Sequence, residues 1–172
     1  MWKKILAIIF LFFIFAFLQI SFFAYFSPFG MVPNLVFVFF FVLVFFSNKP
    51  KPVTNDFFIV FLAFLGGLVL DIFSYRKLGI SIALLALIGF SMRKTQSSLK
   101  VSGDNHPISY FWTLFLVYFV IYEALMDVYL YFFEPAYSVF NFNWLFIANL
   151  AYNLLFALLG FLVYKKLFIN AK

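Results

Sequence analysis

The sequence predicts an all-α integral membrane protein, a bundle of six transmembrane helices forming one domain of 172 residues. Three observations predict it. Hydrophobic residues make up 67% of the chain and charged residues only 10%, against roughly 25% charge in soluble domains, so polar surface is too scarce to solvate a globule of this size. The apolar residues fall into six runs, 5–26, 32–46, 57–73, 78–92, 110–133 and 142–164, separated by polar or proline-broken loops. The cations alternate with those runs. With a cytoplasmic N-terminus and six crossings, Lys3, Lys4, Lys49, Lys51, Arg93, Lys94, Lys100, Lys165, Lys166 and Lys172 lie inside, and only Arg76 and Lys77 lie outside. Such an asymmetry in short loops is the positive-inside signal, and it places both termini in the cytoplasm.

Each run has its own signals. The first follows Trp2-Lys3-Lys4 and is longer than a signal-peptide core, so it reads as a retained helix. Ser27-Pro28-Phe29-Gly30 is a turn cluster. Pro33 sits in the first turn of the second run, where a missing N–H is harmless. That run stops at Ser47-Asn48-Lys49-Pro50-Lys51-Pro52, and Thr54-Asn55-Asp56 offer N-caps to the third. The runs at 32–46 and 78–92 are shorter than the roughly 17–20 residues a crossing needs. Either they borrow turn residues or one is re-entrant, but re-entrance would put flanking cations on the wrong face. A polar loop, Arg93 to Ser109, follows the fourth run and holds His106, read as a solvated loop residue. Glu134-Pro135 ends the fifth run and Lys165-Lys166 the sixth. Trp2, Tyr25, Tyr75, Tyr110, Trp112, Tyr131, Tyr137, Trp144 and Tyr164 gather near run ends as an interfacial aromatic belt.

The composition excludes several classes of function. Cys is absent, which removes disulfides, thiolate metal sites and lipoprotein anchoring. The net charge of +6 comes in scattered pairs between apolar runs, a topology signal rather than a nucleic-acid groove. The 32 Phe residues read as lipid-facing bulk at positions where Leu would serve equally well. There is no phosphate-binding glycine loop, no H-E-x-x-H, no G-x-S-x-G and no nucleophile beside a histidine. Asp71 and Asp127 could form an intramembrane aspartate pair, yet no surrounding motif supports one. The expectation is a protein that is not an enzyme and carries no metal or cofactor.

Three constellations stand out. Gly66-Gly67 lies one turn before Asp71, which closes the third run; Arg76, Lys77, Leu78 and Gly79 follow before the fourth. Glu123 and Asp127, spaced i, i+4, share one face of the fifth helix. Carboxylates in mid-helix cost roughly 2.5–3.5 kcal/mol each on insertion scales, so they should face the interior, a watery cavity or a partner. An ion-pair network with Arg76 or Lys77, a docking pocket for a partner's polar group, and a proton or ion path all fit the pair. In the sixth run Asn149, Asn153, Ala157 and Gly160 form a polar-to-small stripe suited to helix packing. Ala63 with Gly67, and Gly79 with Ala83, are small-residue pairs of the same kind.

Pro33-Asn34 opening the second run, Gly67-Leu68-Val69-Leu70-Asp71 ending the third and Leu78-Gly79 opening the fourth resemble, in order and placement, motifs of the rod shape-determining protein MreD family. The motif match covers residues 33 to 92. The resemblance implies a multi-pass bacterial inner-membrane protein with a fold like the substrate-binding membrane component of energy-coupling-factor transporters. It also implies a non-enzymatic scaffold of the cell-wall elongation complex, with MreC, a class B penicillin-binding protein, RodA and MreB as partners. On this reading Gly66 and Gly67 admit a helix backbone, and Asp71 anchors the loop to the fourth helix. Glu123, Asp127, Asn149 and Asn153 line a polar interior or partner face. The alternative is the substrate-binding component of a vitamin-type transporter, using the same residues. Membrane lipid is the expected surroundings, nucleic acid is not a partner, and homo-oligomerisation is left open.

Overall fold

The structure is a computed structural model describing residues 2–27, 32–47, 52–73, 77–98, 108–133 and 144–166. Among these residues every regular element is helical: α1 (Trp2–Leu18), α2 (Leu35–Ser47), α3 (Pro52–Phe73), α4 (Ile80–Ser98), α5 (Ile108–Phe133) and α6 (Trp144–Tyr164). Among the described residues, four segments are long and apolar enough to cross a membrane: Ile5–Phe23, Asp56–Phe73, Ile108–Phe133 and Trp144–Tyr164. Their outward faces carry large apolar side chains such as Phe10, Phe64, Val117 and Leu159, a surface suited to a membrane and not to water.

Contacts between helices fix their directions. Phe45 of α2 lies against Phe111 of α5 and Phe161 of α6, while Phe37 lies against Tyr122. Gly67 meets Ile82, and Gly89 meets Ile59, so α3 and α4 form an antiparallel hairpin. Ala16 of α1 and Gln19 just past its end border the same crevice as Val36 of α2 and Phe73 of α3. Consecutive helices therefore alternate in direction. One end of the bundle, the basic end, gathers Arg93, Lys94, Lys165 and Lys166. The opposite end holds Asp71, Gly79 and Asn34.

The short second helix is the centre of the molecule. Of its 13 residues, ten are buried, and it packs against α1, α3, α4 and α6 as well as against aromatic rings of α5. A helix apolar on every side is one enclosed on every side. At ~1.5 Å per residue it spans about 20 Å, less than the ~30 Å hydrocarbon core of a bilayer. The five surrounding helices are all longer. Its brevity, puzzling in the sequence, suits a pillar whose ends both lie within the bundle.

Phenylalanine is therefore more than lipid-facing bulk. Phe37, Phe41 and Phe45, one turn apart on α2, are fully buried. They meet Phe119, Phe115 and Phe111 on α5 edge-on, with ring centroids 5.6, 5.1 and 4.9 Å apart. Edge-to-face pairs contribute about 0.5–1.5 kcal/mol beyond burial. Leu could fill the volume but not supply that geometry.

Helix ends differ from the sequence expectation in three places. α3 begins at Pro52, at the first helical position that proline favours, so Thr54, Asn55 and Asp56 sit inside its first turns and are not N-caps. α4 continues past Met92 to Ser98. The buried stripe Leu85, Ile88, Gly89, Met92 extends to Gln96 at helical spacing, and the expected loop loses those residues to the helix. Asp56 of α3 forms an ion pair with Arg93 in this extension. α1 changes to a π-helical turn at Gln19–Phe23, where Ser21 donates its hydroxyl to the Phe17 carbonyl at 2.8 Å.

Candidate functional site

The segment from Gly66 to Gly79 folds into a tight corner. Gly67 makes it possible: a Cβ there would lie 2.4 Å from both the backbone N and Cα of Ile82, so only glycine lets these helices approach backbone to backbone. Ala63, one turn earlier, is buried on the same side. A Cβ at Gly66 would lie 3.0 and 3.2 Å from the tips of Phe12 and Leu85, so α1 packs on the neighbouring face.

Asp71, 1% exposed, completes the corner. Its Oδ2 accepts the Gly79 N–H at 2.6 Å and its Oδ1 accepts the Ser81 N–H at 3.0 Å. Gly79 is the N-cap of α4, since its carbonyl accepts the first helical N–H, from Ala83. A helix start leaves its first N–H groups without partners in the helix, and Gly79 has no side chain to serve them. Asp71 caps α4 from another helix, at the positive end of the α4 dipole. Gly79 has φ +106°, a conformation that L side chains rarely adopt. Ala83 is exposed, so Gly79 and Ala83 form a turn and an outer face rather than a packing pair. Lys77 is exposed beside the corner; Arg76, Glu134 and His106 lie outside the described residues.

A second polar cluster caps α2. Pro33 is buried, and Asn34 accepts the Phe37 N–H through Oδ1 at 3.0 Å, an N-cap bond. The Asn34 N–H donates to Oδ1 of Asn153 on α6 at 2.7 Å. Asn153, fully buried, donates through Nδ2 to the Asn149 carbonyl and side-chain oxygens, both at 2.9 Å. Below it, Ala157 is buried and Gly160 lies over Val42, so the predicted stripe is the α2-facing side of α6. At the basic end Gln96 donates to the Phe45 carbonyl at 3.4 Å, giving α2 an amide partner at each end. Thr95 and Tyr118 share a hydrogen bond of 2.8 Å nearby.

The two amides differ in worth. Asn153→Leu leaves the part-buried Asn34 N–H without its acceptor, which costs about 1–3 kcal/mol. Gln96 has a long bond and a buried Oε1 without a hydrogen-bond partner, so Gln96→Leu should be neutral or stabilising. Unfolding in mixed micelles checks the contrast; equal losses would contradict it.

Glu123 and Asp127 lie half-buried on α5, beside Tyr122 and so at the level of Phe37. They share the Asp71 end of the bundle, but Asp71 itself is engaged with α4. Among the described residues no three His, Asp or Glu side chains converge on a metal position. Sequence reasoning missed Gln96, Thr95 and Gln19. For Gln96 a signal existed in the helical spacing from Met92; for the π-helical Gln19 none did. Comparison with family models, with characterised proteins and with solved structures finds no match to this chain.

Proposed function

We propose that this protein is a non-enzymatic membrane scaffold of the MreD type, a six-span inner-membrane component of the bacterial cell-wall elongation complex. The observation that carries the reading is the corner joining α3 to α4. The residues shared with the family motif, Gly67, Asp71 and Gly79, meet there through backbone contact and hydrogen bonds, which gives the resemblance a physical meaning. The polar groups at this corner are spent on helix capping, as befits a part that sets shape. The six alternating helices and the cations at one end support a topology with both termini cytoplasmic. Partners would be MreC, a class B penicillin-binding protein, RodA and MreB, with the fold related to the substrate-binding component of energy-coupling-factor transporters.

The transporter reading needs a polar cavity able to enclose a vitamin. The crevice between α1, α2 and α3 offers about 20 Å³ of free volume, and Gln19 is the polar residue of its lining, beside Ala16, Ile20, Val36, Val69, Leu70 and Phe73. Small-molecule sites run to ~300–1,000 Å³, so this crevice favours the scaffold. Purification from native membranes in mild detergent tests the choice. An MreC-type single-pass protein is expected to accompany the chain; recovery of coupling ATPases without it would overturn the proposal.

A further inference from the structure

Gln19 breaks the pattern of its surroundings. It lies three residues after Ala16, just past the end of α1, and borders the narrow crevice that α1 forms with α2 and α3. The lining contributed by those two helices is apolar: Val36, Val69, Leu70 and Phe73. Oε1 of Gln19 is buried and has no hydrogen-bond partner within the chain. Folded proteins pair the large majority of their buried polar atoms. A Leu or Met would fill this place without leaving an acceptor unserved.

The backbone beside it is irregular as well. The helix passes from α to π geometry at Gln19, and π-turns inside helices frequently mark functional sites. At the end of the turn the Ala24 N–H bonds to the Ser21 carbonyl. The Ile20 carbonyl therefore loses the N–H that an α-helix would give it. Ile20 is also part of the crevice lining. Packing accounts for the turn itself, which brings Phe23 against Tyr152 and Phe156 of α6. It does not account for a buried amide oxygen at an apolar crevice.

Size and chemistry select what the crevice takes. Its free volume is about 20 Å³. One water needs about 10–15 Å³, whereas organic ligands occupy ~300–1,000 Å³. Both polar groups of α1 at this place are acceptors, so the occupant must donate. A lipid tail has nothing to donate. A cation would be buried beside a lining with no acidic residue among the described positions, and an unpaired buried charge is prohibitively costly.

We infer that the crevice holds one water molecule, which donates one hydrogen to Oε1 of Gln19 and the other to the Ile20 carbonyl. The water fixes the π-turn of α1 against the α2–α3 pair at the Asp71 end of the bundle. This holds whichever partners the protein has, so its test is separate from that of the scaffold role.

A structure determined in lipid at a resolution that shows ordered water tests it directly. The wild type should show a peak at hydrogen-bond distance, roughly 2.7–3.2 Å, from the Gln19 side-chain oxygen, and Gln19→Leu should lack it. No peak in the wild type, or continuous density of an acyl chain, would overturn the inference. Val69→Ile gives an energetic test, because it adds one methyl group to the crevice wall with the same branching at Cβ. In the wild type it should expel the water, orphan Oε1 and lower the folding equilibrium constant about fivefold or more. In a Gln19→Leu background the same methyl group should be neutral or stabilising. Equal effects in the two backgrounds, read by unfolding in mixed micelles, would contradict a water held by Gln19.

Discussion

Replacing Gly67 by alanine is expected to weaken the bundle more than any other single-methyl change in it. The added Cβ would sit 2.4 Å from two backbone atoms of Ile82, a separation no packing tolerates. A side chain can rotate away from such a clash, but a helix backbone must move as a body. Overpacking of a fixed core costs about 1–3 kcal/mol, and a backbone obstacle belongs at or above the top of that range. Gly66→Ala is the built-in control, because its Cβ meets only the ends of Phe12 and Leu85 at 3.0 and 3.2 Å. Both side chains can yield by tenths of an ångström, so its loss should stay below about 1 kcal/mol. The difference is read by unfolding in mixed micelles of increasing denaturing detergent. Equal midpoints for the two variants would remove backbone contact as the basis of the hairpin.

Asp71→Ala carries the second large effect. It leaves the Gly79 and Ser81 N–H groups without acceptors at a position 1% exposed. Each orphaned buried donor costs about 1–3 kcal/mol, and water that reaches the corner can recover part of that. A net loss on the order of 3 kcal/mol follows from two such donors, with fraying of the first turn of α4. Asp71→Asn keeps one acceptor oxygen but turns an NH₂ toward the other N–H, and should fall between the two. Hydrogen exchange at Gly79 and Ser81 reports the fraying directly: protection should drop at these amides first, while those of α6 remain protected.

Much of this architecture was legible in the chain. Apolar runs and alternating cations located the helices, because burial in lipid tolerates few charges. Gly67 and Asp71 stood out as a small residue and a carboxylate at the end of an apolar stretch. The central place of α2 was harder to read. Thirteen residues look too few for a crossing, and only the lack of any polar face marks the helix as enclosed. The buried aromatic ladder was misread as lipid-facing bulk, since Phe at i, i+4 reads alike from within a core and from lipid. The bond from Asn34 to Asn153 joins residues 119 apart; each was legible as a polar group needing a partner, but nothing local says which partner it finds. The polar tail of α4 reads as loop because its residue types outweigh their spacing.

In the proposed role, the corner held by Gly67, Asp71 and Gly79 shapes a scaffold for cell-wall elongation. The most direct test of that role is the shape of native cells carrying wild-type protein, Asp71→Ala, or none, with membrane levels of the two proteins matched. Rods are expected to lose their shape without the protein and to regain it with the wild type but not with Asp71→Ala. Rods that keep their shape without the protein, while uptake of a small molecule falls, would contradict it.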